Sequence, residues 1–576
     1  MMGTGSLGLL AGWVGGIAGI LFCSPVIASS SCAPELASEQ ASDTFPVSLE
    51  ASDARIRMSV VGSYRGGMFS EKTPGGPPAY DPWTKRVYVA SADRRAIEGI
   101  DVSDPSHPVQ VISIDLNPYG GEANAIAIHR GVLALTVEDA DDDTQPGKIV
   151  FLNLEGKLLA EPLTLGRLSR IAFAPDGSRL VATISGSPND EYTEDPESGI
   201  VVAELPGTTW FFCRIGSRLC TINPQVTLLD FRAFNDQRNA LIEAGVRILF
   251  PTATVAEDLE TSGMTISPDS RYAYVNLNVN NALAEIDLIN KEITQIWAYG
   301  YKDHSLLGNG LDVSDRDNAI NITTWPLRSF LQPKDIAAFR SGGQTFIATA
   351  NEGNLLDQDG FSEVTVIGDL PLDPQAFPDA EELKLRENLG RIDLTRLYGD
   401  KDGDGDFDAL YTGGARSFSI FTTDGQRVFD SGDDFEACTA QAVPTCFNCP
   451  EDENNFDARS RKKGPEPEHV MIGRVGLRQY AFVSFERIGG IIVYDVTDPY
   501  DPKFQQYINN RNFGSEPATL CGERGEPALP TCEDIGDLEP EALSFIPAAI
   551  SPLGVPMLVV LHEATDSTTF YRIDRL

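Results

Sequence analysis

The chain has 576 residues, 42% of them apolar, enough to bury a large core in one or more domains. Its 84 acidic and 45 basic residues give a formal charge of −39. That balance argues against nucleic acid as a partner, since phosphate recognition needs a positive footprint, and favours cations, metal ions foremost.

Residues 7–28, LGLLAGWVGGIAGILFCSPVIA, are apolar and end in Val26-Ile27-Ala28, a plausible cleavage site. Residues 1–28 are therefore expected to be an export signal, with a retained anchor as the alternative because no Lys or Arg precedes the run. Residues 29–54 read as linker. No later stretch is long and apolar enough to cross a bilayer, so the mature chain is expected to be secreted, extracellular or periplasmic. Removing Cys23 with the signal leaves eight cysteines, an even number that suggests disulfides. Cys213 with Cys220 and Cys521 with Cys532 close short loops, whereas Cys446 and Cys449 have zinc-like spacing without a second pair nearby.

Beyond the linker, short β-rich runs recur in fours. AYDP at 79, RVYVASAD, AIEGIDV and PVQVISI form the first unit, and residues 122–163 the second. RIAFAP at 170 and LVATIS at 180 begin a third, and residues 264–298 give a fourth. The fifth must be assembled: DIAAF at 335 and TFIATAN at 345 pair with SFSIF at 417 and QRVFD at 426, leaving about 352–414 as an insertion. Residues 469–508 are the sixth. The last unit, ALSFIP, MLVVLHE and TFYRID, lacks a strand that IRMSVVGSY at 56–64 supplies. The expected fold is all-β: a seven-bladed propeller of four-stranded antiparallel blades over 55–576, closed by that N-terminal strand, with long insertions on one face. A set of β-sandwich domains is the alternative.

In a propeller, the loops after strand 2 and those before strand 1 share one face. Asp93, Glu138, Ser185, Asn278, Glu352, Glu486 and Glu563 end the second strands, while Glu122, Asp335, Glu468 and Glu541 precede the first strands. Together with Asp312, Asp315 and Asp317 of GNGLDVSDRD, they are expected to crowd one mouth of the central channel. The insertion carries YGDKDGDGDFDALY, in which Asp400, Asp402, Asp404, Asp406 and Asp408 occupy positions 1, 3, 5, 7 and 9 of a calcium loop, with Gly405 at the sharp turn. Tyr411 stands where an EF-hand has its bidentate Glu, so the loop is of another kind. Calcium is the expected cofactor, and a solvated acidic turn the alternative.

Several longer motifs resemble the choice-of-anchor I family: GVRILFPTATVAEDLE, YKDHSLLGNGLDVSDRD, TANEGNLLDQDGFSE, GDKDGDGDFDALYTGGARSFSIF, FDSGDDFE, KGPEPE and ERIGGIIVYDVTDP. The chain is similar in the same way to mesenchyme-specific cell-surface glycoproteins. The resemblance implies a secreted or surface-attached propeller that handles calcium or mineral, with calcium ions, mineral or surface proteins as partners. Bacterial members are often labelled alkaline phosphatase, which implies an alternative function as a calcium-dependent phosphoesterase acting on phosphate esters at the acidic mouth. Arg316, Arg487 or the RSRKK run at 459–463 would then grip phosphate, and His304, His469 or His562 would move protons; no nucleophile or metalloprotease motif is present. The chain departs from the family pattern at Ile184-Ser185-Gly186-Ser187-Pro188 and Leu259-Glu260-Thr261-Ser262, both of which carry fewer acids. It also lacks the C-terminal anchor, which suggests a released protein.

Overall fold

A computed structural model describes Cys32 and residues 45–576, apart from 73–74, 142–144, 190–191, 193–194, 216 and 218. The expected export signal lies outside the described residues. No described helix is long and apolar enough to cross a membrane.

The core is all-β. Seven antiparallel sheets, spanning 79–115, 121–164, 168–230, 264–298, 335–430, 467–509 and 540–575, each contain at least four strands. Their middle strands are buried on both faces and read as nearly unbroken apolar runs, such as VLALTVED at Val132–Asp139 and KIVFLN at Lys148–Asn153. Two-residue turns join some of them. Arg130 and Gly131, at φ of +48° and +83°, link His129 to Val132, and Gly342 with Gly343 does the same between Ser341 and Gln344.

The two assembled units form as expected. Asp335–Ser341, Gln344–Asn351, Ser417–Thr422 and Arg427–Asp430 lie side by side in that order, so residues 352–416 are inserted between the second and third strands. Ile56–Arg65 pairs along the whole of Ser567–Arg575, which joins the two ends of the chain in one sheet. One segment differs from expectation. Val47–Glu50, read as linker, is a fifth strand on the 467–509 sheet, paired with Gln506–Asn509. A four-residue run shows too little alternation to stand out, and its order comes from the open edge it meets.

Each sheet shares an apolar cluster with the next, as Tyr88 and Leu133 do between the first and second and Phe418 and Tyr494 between the fifth and sixth. The seventh packs on the first through Val559, Phe570, Val87 and Ile100. The insertion has its own core, where Ile367, Leu389 and Leu394 pack on Leu311 and Leu327. Its two ends meet at a neck of glycines. Gly353 at φ +103° and Gly414 at φ +84° pack so closely that a Cβ on Gly414 would lie 1.9 Å from the Glu352 carbonyl oxygen. Disulfides join Cys213 to Cys220, Cys521 to Cys532, Cys446 to Cys449 and Cys32 to Cys438. The Cys446–Cys449 bridge uses both sulfurs that the spacing had offered to zinc.

Candidate functional site: an acidic mouth and an aspartate loop

The first strands of six sheets line a cavity of about 390 Å³, with Arg170, Asp335 and His469 in its wall. A second cavity of about 390 Å³ shares Arg170 with it and is lined by Glu122, Thr261, Ser262, Lys334 and Glu541. Beside Lys334 several buried carboxylates meet.

Three of the expected glutamates converge here. Glu352 follows the second strand of the fifth sheet, Glu468 lies in the first strand of the sixth, and Glu486 follows that sheet's second strand. A bulge between Pro467 and Val470 sets the register that brings Glu468 beside the end of the neighbouring strand. Oxygens from all three lie within 4.8 Å of one another. Lys334 stands between them, 3.1 Å from Glu468 and 3.7 Å from Glu352, and Lys463 pairs with Glu352 as well. Glu468 and Glu352 hold the Lys334 ammonium well above its ordinary pKa. Burial and the neighbouring carboxylates push Glu468 well above the usual range and Glu486 up to about 8. Burial acts on Glu352 in the same sense, but Lys463 and Lys334 outweigh it and bring that carboxyl below its ordinary value. One oxygen of Glu468 is buried without a hydrogen-bond partner.

A second layer surrounds these three. Arg487 reaches Glu486 at 2.7 Å, Glu451 at 2.8 Å, Glu539 at 2.9 Å and Glu466 at 3.4 Å. Arg524 meets Glu539 at 2.8 Å and Glu451 at 3.4 Å, with Glu563 at 4.0 Å. Sequence reasoning offered Lys463 only as part of the basic run 459–463 and missed Lys334, Glu451, Glu466, Glu539 and Arg524. A signal for two of them was present: Glu466 and Glu539 stand two residues before Glu468 and Glu541 in the same Pro-Glu-Pro-Glu and Glu-Pro-Glu stretches, and the structure gives both a left-handed backbone, at φ +55° and +56°, just before their strands.

Other expected members are engaged elsewhere. Asp93 accepts a hydrogen bond from Ser70, Glu138 accepts the Leu168 amide at 2.9 Å, and Asn278 donates to the Gln332 and Pro333 carbonyls. Ser185 bonds to Ser187, whose hydroxyl also meets Glu260 at 3.0 Å. The two segments that depart from the family pattern are therefore hydrogen-bonded neighbours, and Thr261 seals them by donating to the Ile184 carbonyl. Asp315 is clamped by Arg391 at 2.7 Å and Arg461 at 3.5 Å, and Arg316 is exposed beside it. Asp312 and Asp317 lie near Glu436 and Asp457, a different set of acids. The three histidines are buried. His304 is held by the Asn309 carbonyl and Ser329, while His469 lies 3.3 Å from Asp335 and His562 stands near Asp537.

The five aspartates form a folded loop. Asp400 accepts the amides of Gly403 at 2.7 Å and Gly405 at 3.1 Å, both glycines at positive φ, and Asp408 accepts the Lys401 amide at 2.8 Å. Oxygens of Asp400, Asp402 and Asp404 lie within 4.8 Å of one another, and those of Asp406, Asp408 and Asp373 form a second such group. Asp373 is a further member that the spacing did not reveal. It is placed by the bridge between Leu372 and Phe407 and donates its own amide to the Phe407 carbonyl at 3.1 Å. Such all-oxygen groups suit hard cations.

The choice-of-anchor I domain model matches residues 77–499. The chain belongs to the choice-of-anchor I family. Gigasin-3a of Magallana gigas is 29% identical over 194 residues, 32% of this chain and 64% of that protein. The mesenchyme-specific cell surface glycoprotein of Strongylocentrotus purpuratus is 25% identical over 341 residues, 52% of this chain and 43% of that protein. The chain thus spans less than two thirds of either relative's length in the matched region. Among solved structures, the Swd1 β-propeller domain of Myceliophteria thermophila aligns at a TM-score of 0.39 and 7% identity, covering 90% of this chain and 99% of its own. Kuenenia stuttgartiensis hydrazine synthase aligns at 0.38 and 12%, covering 88% and 99%.

Proposed function

We propose that this family member is an exported, calcium-binding, seven-bladed β-propeller that works at the cell surface or in the extracellular matrix, in calcium handling or mineral deposition. Support for the propeller comes from seven sheets that each share a cluster with the next, the seventh packing on the first. Four disulfides fit an oxidising compartment, and one relative is by name a cell-surface glycoprotein.

The observation that carries calcium is the geometry of the aspartate loop. Asp400 uses its oxygens to hold two glycine amides, while oxygens of Asp400, Asp402 and Asp404 stay within 4.8 Å of one another. Carboxylates so close repel unless a cation lies among them. Ester hydrolysis is less favoured, because Arg487 is already held by four carboxylates and Arg316 is exposed beside Asp315.

Equilibrium dialysis with radioactive calcium tests the reading. The protein is expected to bind calcium with a Kd of about 10⁻⁴ to 10⁻³ M, the extracellular range. The variant Asp400→Asn/Asp402→Asn/Asp404→Asn is expected to lose at least one ion. Equal binding by both proteins sinks the loop as a site. Hydrolysis of p-nitrophenyl phosphate that EGTA abolishes moves the function to the esterase reading.

A further inference from the structure

The cavity lined by the first strands meets the one beside the mouth at Arg170. The strands set the order of the two. Residues that precede or open first strands, Glu122, Lys334 and Glu541, line the cavity at the acidic end. Residues further along such strands, Ile128, Ala338 and Ile472, line the other, which therefore extends away from the acids. Its wall is mostly apolar, and neither the aspartate loop nor the group of three glutamates reaches into it.

Arg170 belongs to the strand Leu168–Phe173. Ile171 is buried in the cluster shared with the second sheet, while Arg170 and Ala172 on either side of it are half-buried and line the cavity. The Arg170 amide donates to the Thr183 hydroxyl at 3.1 Å. Its guanidinium, among the described residues, makes neither an ion pair nor a hydrogen bond. Glu541 and His469 feel its charge, but at longer range. Other polar groups in the wall are engaged. Asp335 accepts the Val470 amide at 3.2 Å and lies 3.3 Å from His469, and Thr265 accepts the Ala338 amide at 3.0 Å. The His129 ring packs on Phe173 and Trp210, with ring centres 5.6 Å and 4.9 Å away. Arg170 is thus an uncommitted cation at the inner end of an apolar chamber.

That combination selects a ligand class. A volume of about 390 Å³ falls in the range of small-molecule sites, about 300–1,000 Å³, which are mostly apolar with a few polar groups that fix orientation. A guanidinium is a planar, permanently charged fork, and a carboxylate meets it with two parallel hydrogen bonds. In surroundings of low polarity such a pair is stronger than in water. Inorganic phosphate needs several donors to replace its hydration, and this wall offers one fork among apolar side chains. Lys334, the next cation, is held by Glu468 and Glu352. A cationic ligand would meet the charge of Arg170 itself.

We propose that this cavity binds a small carboxylate with an apolar body, the carboxylate on Arg170 and the body along Ala172, Ala337 and Ile472. The site is independent of the calcium reading, because no residue of the aspartate loop lines it. The test uses the full chain in buffer without divalent cations, with octanoate as the probe in calorimetric titrations. Octanol, the same chain without the charge, and inorganic phosphate are titrated beside it. Octanoate is expected to bind at one site per chain, at least about tenfold tighter than octanol, the scale of one charge-assisted hydrogen bond. Arg170→Met keeps the stem and removes the fork, so octanoate should fall to the affinity of octanol while octanol is unchanged. Ala172→Leu leaves the arginine in place and fills the chamber, so both ligands should weaken at least about tenfold; it decides the location even if Arg170→Met does not fold. Absence of saturable octanoate binding to the wild type overturns the proposal. Equal affinity for octanol overturns it as well, since the arginine then takes no part. Octanoate binding unchanged by Arg170→Met or by Ala172→Leu puts the ligand elsewhere and refutes the assignment. Phosphate bound as tightly as octanoate refutes the apolar body.

Discussion

Glu363 and Arg247 are both wholly buried, 2.5 Å apart, and tie the insertion to the segment preceding the fourth sheet. Glu363 also accepts the Leu356 amide at 3.0 Å and the Thr395 hydroxyl at 2.5 Å. Arg247 donates to the Val279 carbonyl at 2.9 Å and lies 4.9 Å and 5.4 Å from the ring centres of Phe330 and Tyr398. Glu363→Gln keeps the shape and most acceptors but removes the carboxylate paired with a wholly buried guanidinium. Breaking one side of a buried pair costs about 3–5 kcal/mol. At about 1.4 kcal/mol per factor of ten, opening of the insertion should become about 10²- to 10⁴-fold more frequent. Hydrogen exchange read by mass spectrometry over 354–396 measures this directly, without assuming two-state unfolding of so long a chain. The double variant Arg247→Met/Glu363→Gln removes the stranded charge and should recover at least half of the lost protection. Wild-type protection in Glu363→Gln, or a double variant more exposed than the single one, refutes the reasoning.

Removing the ammonium at the mouth with Lys334→Met should lower the melting temperature in EDTA by several degrees, and calcium should restore more stability than it adds to the wild type; equal response in both proteins counts against cation binding there. Gly414→Ala places a Cβ 1.9 Å from a carbonyl oxygen at φ +84°, so limited proteolysis within 352–416 should accelerate while the remaining sheets stay resistant. His304 is lowered from 6.5 to about 3, chiefly by burial and then by Lys302. Between those values the unfolded chain binds a proton that the native state refuses, so stability falls as pH drops, by up to about 1.4 kcal/mol per pH unit. Melting curves from pH 7 to 4 should show that slope reduced by about one proton in His304→Gln; parallel slopes disprove it.

The sequence by itself determined the sheets, because strand periodicity and turn residues are local. It even revealed that Ser417–Thr422 continues a sheet interrupted by the insertion, since Gln344–Asn351 lacked outer partners, and that Ile56–Arg65 completes the last sheet. The aspartate loop was legible for the same reason: its carboxylates stand at fixed short spacing. Asp373 was not, because only the pairing of Leu372 with Phe407 brings it in. Of the expected ring of acids, Glu352, Glu468 and Glu486, which end or precede adjacent strands, stand together, while Asp93 and Glu138 hydrogen-bond to Ser70 and the Leu168 amide. Only the tertiary structure decided where the positive charges go. Lys334, Lys463, Arg487 and Arg524 have no periodic signature, yet burial lets each act on several carboxylates at once.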